Sequence, residues 1–163
     1  MAKQSPKNQT PDATRIHRDV YKAMVGVTKA SRSASRQAGL GKDLLELVNV
    51  RVSQINGCVA CLSVHVPQAE KAGVPKNKLG LLPAWREATV YSREERAALA
   101  LAEDITLVAT PNSKRSKAAR RALNCFTEEQ VAALEWAIYT INTFNRISIY
   151  ADHPPVGDWK SAE

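Results

Sequence analysis

The sequence predicts an all-α fold, and three observations carry that prediction. Apolar residues recur at three- and four-residue intervals through most of the chain, two stretches open with capping-box patterns, and alternating apolar–polar runs of the kind that build strands are absent. The 163 residues suffice for one domain with a core of its own. Hydrophobic residues make up 44% and charged residues 24%, the balance of a folded globular chain and not of a disordered one.

Residues 1–14 hold two prolines among polar residues and read as a flexible N-terminal tail. The helical domain is expected over 15–151, with an irregular C-terminal tail at 152–163. Ile16, Val20, Ala23, Met24 and Val27 share one face of a helix over Arg15–Lys29, and Ser31–Ala38 reads as a short second helix ending near Gly39. The helix after Gly41 is apolar on most sides (Leu44, Leu45, Leu47, Val48, Val50, Val52, Ile55), which marks it as buried. Asn56-Gly57 stops it, because glycine tolerates the left-handed conformation of a helix end. A new helix starts at about Cys58 and runs to Ala72-Gly73, and a short one follows over Lys76–Leu82. Ser92 and Glu95 form one capping box and Thr127 and Gln130 the other. Between these two helices Thr110-Pro-Asn-Ser is an interruption. The last helix places Val131, Leu134, Ile138, Ile141 and Asn145 on one stripe.

The net charge is +7, and much of the excess lies in one place: Lys114, Arg115, Lys117, Arg120 and Arg121 stand between Ala109 and Cys125 with no acid. That segment has no stacking aromatic, and no nucleic-acid-binding motif occurs elsewhere, so it reads as a solvated loop and helix start and no nucleic-acid partner is expected. The longest uncharged stretch, Val52–Ala69, contains Gln54, Asn56, Gly57 and His65, and no membrane span is expected. The polar N-terminus lacks the apolar core of a secretory signal, so a cytoplasmic location is expected.

Three cysteines, two of them as Cys58-x-x-Cys61, argue against a disulfide framework and for redox or metal chemistry. On a helix starting at Cys58, residues 58, 61 and 65 fall on one face, so both sulfurs and the His65 imidazole line one stripe. The positive helix end favours a thiolate, by this argument most strongly at Cys58. His65 can serve as base to a thiol, and two cysteines at this spacing can close a disulfide once one is oxidised. Glu46, on the preceding buried helix, is costly there unless paired or used as a proton acceptor. A zinc reading competes: Cys58, Cys61 and His65 are three possible ligands, with Cys125, His17 or His153 as a fourth. No second C-x-x-C or His pair accompanies them, so no metal and no cofactor is expected.

The run from Leu45-Glu46 through Asn56-Gly-Cys58-Val-Ala-Cys61 to His65 resembles the core of the AhpD-like, or carboxymuconolactone decarboxylase-like, family. Ala84-Trp85-Arg86-Glu87, the Tyr91–Leu99 stretch and Asn142-x-x-Asn145-Arg146 resemble its peroxidase-related, alkylhydroperoxidase branch. The likeness spans about Arg15 to Tyr150. It implies an AhpD-like helical bundle and a thiol-dependent hydroperoxide reductase or disulfide oxidoreductase. Cys61 would attack the hydroperoxide, Cys58 would close the disulfide, and His65 with Glu46 would relay protons. An external dithiol or thioredoxin-like or lipoyl reductant would reset the pair, and a homo-oligomer, trimer or hexamer, is implied. The antioxidant members carry a His directly before the second cysteine, where this chain has Ala60. Members that decarboxylate generally lack the cysteine pair. A redox-sensing or binding module of the same fold, without useful turnover, is the alternative. Asn142 and Asn145 are candidate substrate-pocket residues, although a buried amide such as Asn145 also suits a helix–helix hydrogen bond. Arg146 is expected to make an ion pair, and Trp85 to pack.

Overall fold

The computed structural model describes residues 11–110 and 117–157. Most of the expected N-terminal tail, Lys114 and Arg115 of the basic segment, part of the interruption after Thr110 and the last residues of the C-terminal tail lie outside that range. Eight helices are present among the described residues, and no strand. They are α1 (Ala13–Ile16), α2 (Arg18–Gln37), α3 (Lys42–Asn56), α4 (Val59–Lys71), α5 (Lys76–Leu81), α6 (Arg93–Thr106), α7 (Lys117–Ala122) and α8 (Glu128–Tyr150). A 3₁₀ turn at Leu82–Ala84 extends α5.

One expectation fails at the start. The two helices read over Arg15–Lys29 and Ser31–Ala38 are one, α2, and the break falls earlier, at His17. Serines are poor helix formers when their hydroxyls compete for backbone. Here Ser31 and Ser35 are buried, and the Ser35 hydroxyl donates to the Ser31 carbonyl at 3.0 Å, so the helix continues through them.

The centre of the bundle is α3, which packs on α4, α6 and α8 at once. That explains its composition: Leu47, Val48, Val50 and Val52 are all at most 1% exposed, and even Asn49 and Arg51 between them are partly covered. Val48, Val52, Leu101, Leu134 and Ile138 join α3, α6 and α8 in one core cluster, which also takes in Cys58. Leu47, Val50, Leu82, Trp85, Tyr91 and Leu99 form a second cluster on the other side of α3.

The ends are closed as the sequence expects. Ser92 Oγ accepts from Glu95 N (3.1 Å), and Ser92 N donates to the Glu95 carboxylate (2.7 Å). At α8, Thr127 and Gln130 exchange the equivalent pair, and the Gln130 amide also donates to the Ala38 carbonyl (3.1 Å), tying α8 to the end of α2. The α3–α4 hinge is set by Gly57, at φ +67°. Its N–H bonds to the Gln54 carbonyl, and Cys58 N–H to the Ser53 carbonyl, which is a Schellman end. The chain therefore reverses in two residues and starts α4 with Cys58 as N-cap.

Candidate active site

The reversal at Gly57 lays α4 against α3, and this brings together residues 19 apart in sequence. His65 Nδ1 stands 2.7 Å from Glu46 Oε2. Both side chains are largely shielded, with 12% of His65 and 6% of Glu46 accessible. A carboxylate accepts only, so Nδ1 carries the donated proton and Nε2 is left for exchange with a third group. Asn49, one turn along α3, donates to the same carboxylate oxygen at 3.4 Å. Burial works to raise the Glu46 pKa, but the hydrogen bond and charge of His65, helped by Asn49 and Arg32, outweigh it, and the carboxyl sits below its ordinary value.

Cys58 and Cys61 are both buried, yet their surroundings differ. A cavity of about 610 Å³ lies between α2, α3, α4 and α8, and Cys61 and His65 line it, one helical turn apart on α4. Cys58 does not line it. Cys58 is 1% exposed, packed into the core behind Cys61, and its sulfur accepts the Cys61 backbone N–H at 3.4 Å. Burial, joined by the neighbouring Cys61 thiol, pushes the Cys58 thiol up to about 11 against the pull of that N–H and of the Asn145 side chain. The helix-end argument alone favours Cys58 as the thiolate; here the loss of water outweighs the helix end, and Cys58 stays protonated.

Ala60 also lines the cavity, so the position where the antioxidant members carry a second His is, in this chain, a methyl group at the same opening. Leu45 and Val64 from α3 and α4 and Ile141 and Phe144 from α8 make apolar walls. The segment after α8 adds His153, Pro154, Pro155 and Val156, and Val156 N–H donates to Ser63 Oγ on α4 at 2.8 Å. A stretch that the sequence marks only as irregular tail is thus one wall of the cavity.

Asn142 and Asn145 do not line the cavity, contrary to the sequence expectation. They are turned into the core, where Asn56 donates to both side-chain oxygens (3.0 and 2.8 Å). Asn145 donates to Ser53 Oγ (3.1 Å) and Asn142 to Thr106 Oγ1 (3.0 Å). They are satisfied across α3, α6 and α8, which is what buried amides require. Asn145 further reaches the Cys58 side chain, so it supports the thiol from the core side and not from the cavity. Arg146 donates to the carbonyl and side-chain oxygens of Asn142, both at 2.9 Å, and is in no ion pair among the described residues. Trp85 packs as expected, 3% exposed, with its indole N–H donating to Glu103 (2.8 Å). No three Cys, His, Asp or Glu side chains converge as a metal-ligand set among the described residues. Of the cavity's residues, sequence reasoning singled out only Cys61 and His65 as catalytic; it missed Tyr21, Lys29, Arg32 and Phe144 among others, because α2 and α8 meet only in the fold and no local pattern announces it.

A sequence profile described as the carboxymuconolactone decarboxylase family matches residues 18–104, more than half of the chain and the whole stretch that carries Glu46, Cys58, Cys61 and His65. The chain belongs to the carboxymuconolactone decarboxylase family. Within it, the uncharacterized protein YdfG of Bacillus subtilis (strain 168) is 40% identical over 117 residues, covering 71% of this chain and 78% of the relative. A crystal structure from Agrobacterium tumefaciens, of a protein of unknown function proposed as an AhpD antioxidant defence protein, superposes with a TM-score of 0.81. It is 26% identical and covers 93% of this chain and 100% of its own. The debrominase Bmp8, solved as a cysteine-to-alanine variant with 2,3,4-tribromopyrrole, shares the fold at a TM-score of 0.65 and 21% identity, over 82% of this chain and 69% of its own. This family member is therefore AhpD-like in fold, in a family whose name is that of an enzyme. No described helix is long and apolar enough to cross a membrane.

Proposed function

We propose that this family member reduces organic hydroperoxides with the Cys58–Cys61 pair. One observation carries the reading: Cys61 and His65 face the same cavity, while Cys58 is packed in the core, off that cavity, with its sulfur accepting the Cys61 backbone N–H. The Cys61 thiolate attacks the terminal oxygen of the hydroperoxide, and the O–O bond breaks. His65, having taken the thiol proton, returns it to the leaving alkoxide, so one alcohol and one Cys61 sulfenic acid result. Glu46 holds the imidazole by Nδ1 and stabilises its charged form. Cys58 then attacks the sulfenic sulfur and releases water, leaving a Cys58–Cys61 disulfide. An external dithiol, thioredoxin-like or lipoyl, exchanges with that disulfide and leaves oxidised itself. A protonated resolving thiol suits this order, because it does not compete for peroxide and supplies the proton that departs with water. Assembly as a homo-oligomer, trimer or hexamer, fits the apolar residues Ile16, Val20 and Val27, which α1 and α2 leave exposed.

Dithiol-dependent consumption of cumene hydroperoxide tests the reading. Sustained turnover is expected from the unaltered chain and none from Cys61→Ser. Cys58→Ser should accumulate a sulfenic acid at Cys61 that dimedone traps, visible as a mass adduct. A single stoichiometric oxidation without turnover would favour the redox-sensing alternative.

A further inference from the structure

The charged groups of the cavity lining are concentrated on one helix. Beside Tyr21 and Val25, α2 brings Thr28, Lys29, Ser31, Arg32 and Ser35, whereas the other helices bring the apolar Leu45, Val64, Ile141 and Phe144 and only uncharged polar groups such as Asn49 and Thr140 besides His65. No Asp or Glu lines the space, and its two permanently charged groups, Lys29 and Arg32, are both cations. They stand three residues apart on one helix face, exposed at the rim, and neither is ion-paired among the described residues. The Glu46 carboxylate sits behind His65 and is taken up by it at 2.7 Å. Arg32 lies near enough to contribute to holding the Glu46 charge, so the cationic rim and the reacting thiol share one end of the site. The volume, about 610 Å³, is that of a site for a medium-sized organic molecule, not for hydrogen peroxide alone.

We propose that this cavity selects amphipathic organic anions: its substrate is a hydroperoxide with an extended apolar body and a carboxylate, the carboxylate held by Lys29 and Arg32 and the body lying against Leu45, Val64, Ile141 and Phe144. The substrate class rests on the peroxidase reading above; the preference for an anion over a neutral molecule of the same shape does not. An apolar chain gains from the dry walls regardless of its head group. A carboxylate adds charge-assisted hydrogen bonds from a guanidinium and an ammonium, and it meets no opposing acid in the lining.

The test uses a redox-inert probe, so that binding and turnover are judged apart. Decanoate and 1-decanol are titrated calorimetrically into the reduced chain below their aggregation limits. Decanoate should bind about tenfold tighter or more. It should also slow iodoacetamide labelling of Cys61, which places it in this cavity. Lys29→Gln/Arg32→Gln, at exposed helical positions where folding is checked by circular dichroism, should bring decanoate down to the affinity of decanol. Arg32→Glu should weaken it further while leaving decanol unchanged. Equal affinity for acid and alcohol, binding of neither, or a preference that survives the double substitution overturns the proposal. Turnover of cumene hydroperoxide, a neutral substrate, is measured in parallel on the unaltered chain. Turnover without anion preference sinks only this inference, and anion binding without turnover sinks only the peroxidase reading.

Discussion

Glu46 and Glu103 are both shielded carboxylates, and their partners divide them. Glu103, on α6, receives Arg51 through two hydrogen bonds (2.9 and 2.7 Å), the Trp85 indole (2.8 Å) and Arg86. Its partners include two permanent cations, and Arg96 braces the same loop by donating to the carbonyls of Trp85, Arg86 and Ala88. Glu46, on α3, has one strong partner, His65, an imidazole that faces a cavity. Both carboxyls sit below their ordinary pKa, against burial that works to raise them. The same shift therefore means different things. Around Glu103 nothing can give up a proton near neutrality, so the cluster is a clamp joining α3, α6 and the loop after α5. Around Glu46 the partner is an imidazole, a group able both to donate and to accept a proton, and it lines the same cavity as Cys61, so the pair is built to pass a proton.

Substitution should separate the two sites sharply. Cys61→Ser, beside the Glu46 pair, is expected to reduce dithiol-dependent peroxide turnover to background while leaving the melting curve nearly unchanged. His65→Ala or Glu46→Gln should lower kcat/KM by about 10²–10⁴. Glu103→Gln should do the reverse, lowering unfolding stability in urea by about 2–3 kcal/mol with kcat/KM preserved. If Glu103→Gln depressed turnover as strongly as Glu46→Gln, the division into clamp and relay would collapse. The acid limb of stability sharpens it further. The folded Glu103 pKa is depressed below the unfolded value near 4.5, so its stabilisation is complete above that pH and is lost as pH falls through the folded value. The gap between the unaltered chain and Glu103→Gln should then close on acidification below about 4.5, in pH-dependent urea midpoints. The smallest effect is expected at Arg86→Gln, whose side chain is 56% exposed: under about 1 kcal/mol, and less in high salt.

The sequence disclosed what depends on near neighbours. The capping boxes at Ser92 and Thr127, the buried α3 and its Asn-Gly stop are local chemistry, and the structure has them. The one-face placement of Cys61 and His65 follows from four-residue spacing alone. The choice between the cysteines did not, because it turns on which sulfur meets open space, and α2, α8 and the chain after Tyr150 decide that. Asn142 and Asn145 were misplaced for a related reason. A polar residue on an apolar stripe signals a partner but not its direction, and here Asn56, Ser53 and Thr106 answered from the core. The single α2 helix was hidden because serines read as a boundary unless one knows that they are buried.

The hydrogen bond from Val156 to Ser63 ties the chain after α8 to α4, the helix that carries Cys61 and His65. The shape of a space lined mainly by helices far earlier in the sequence is therefore set in part by the stretch that follows the last of them.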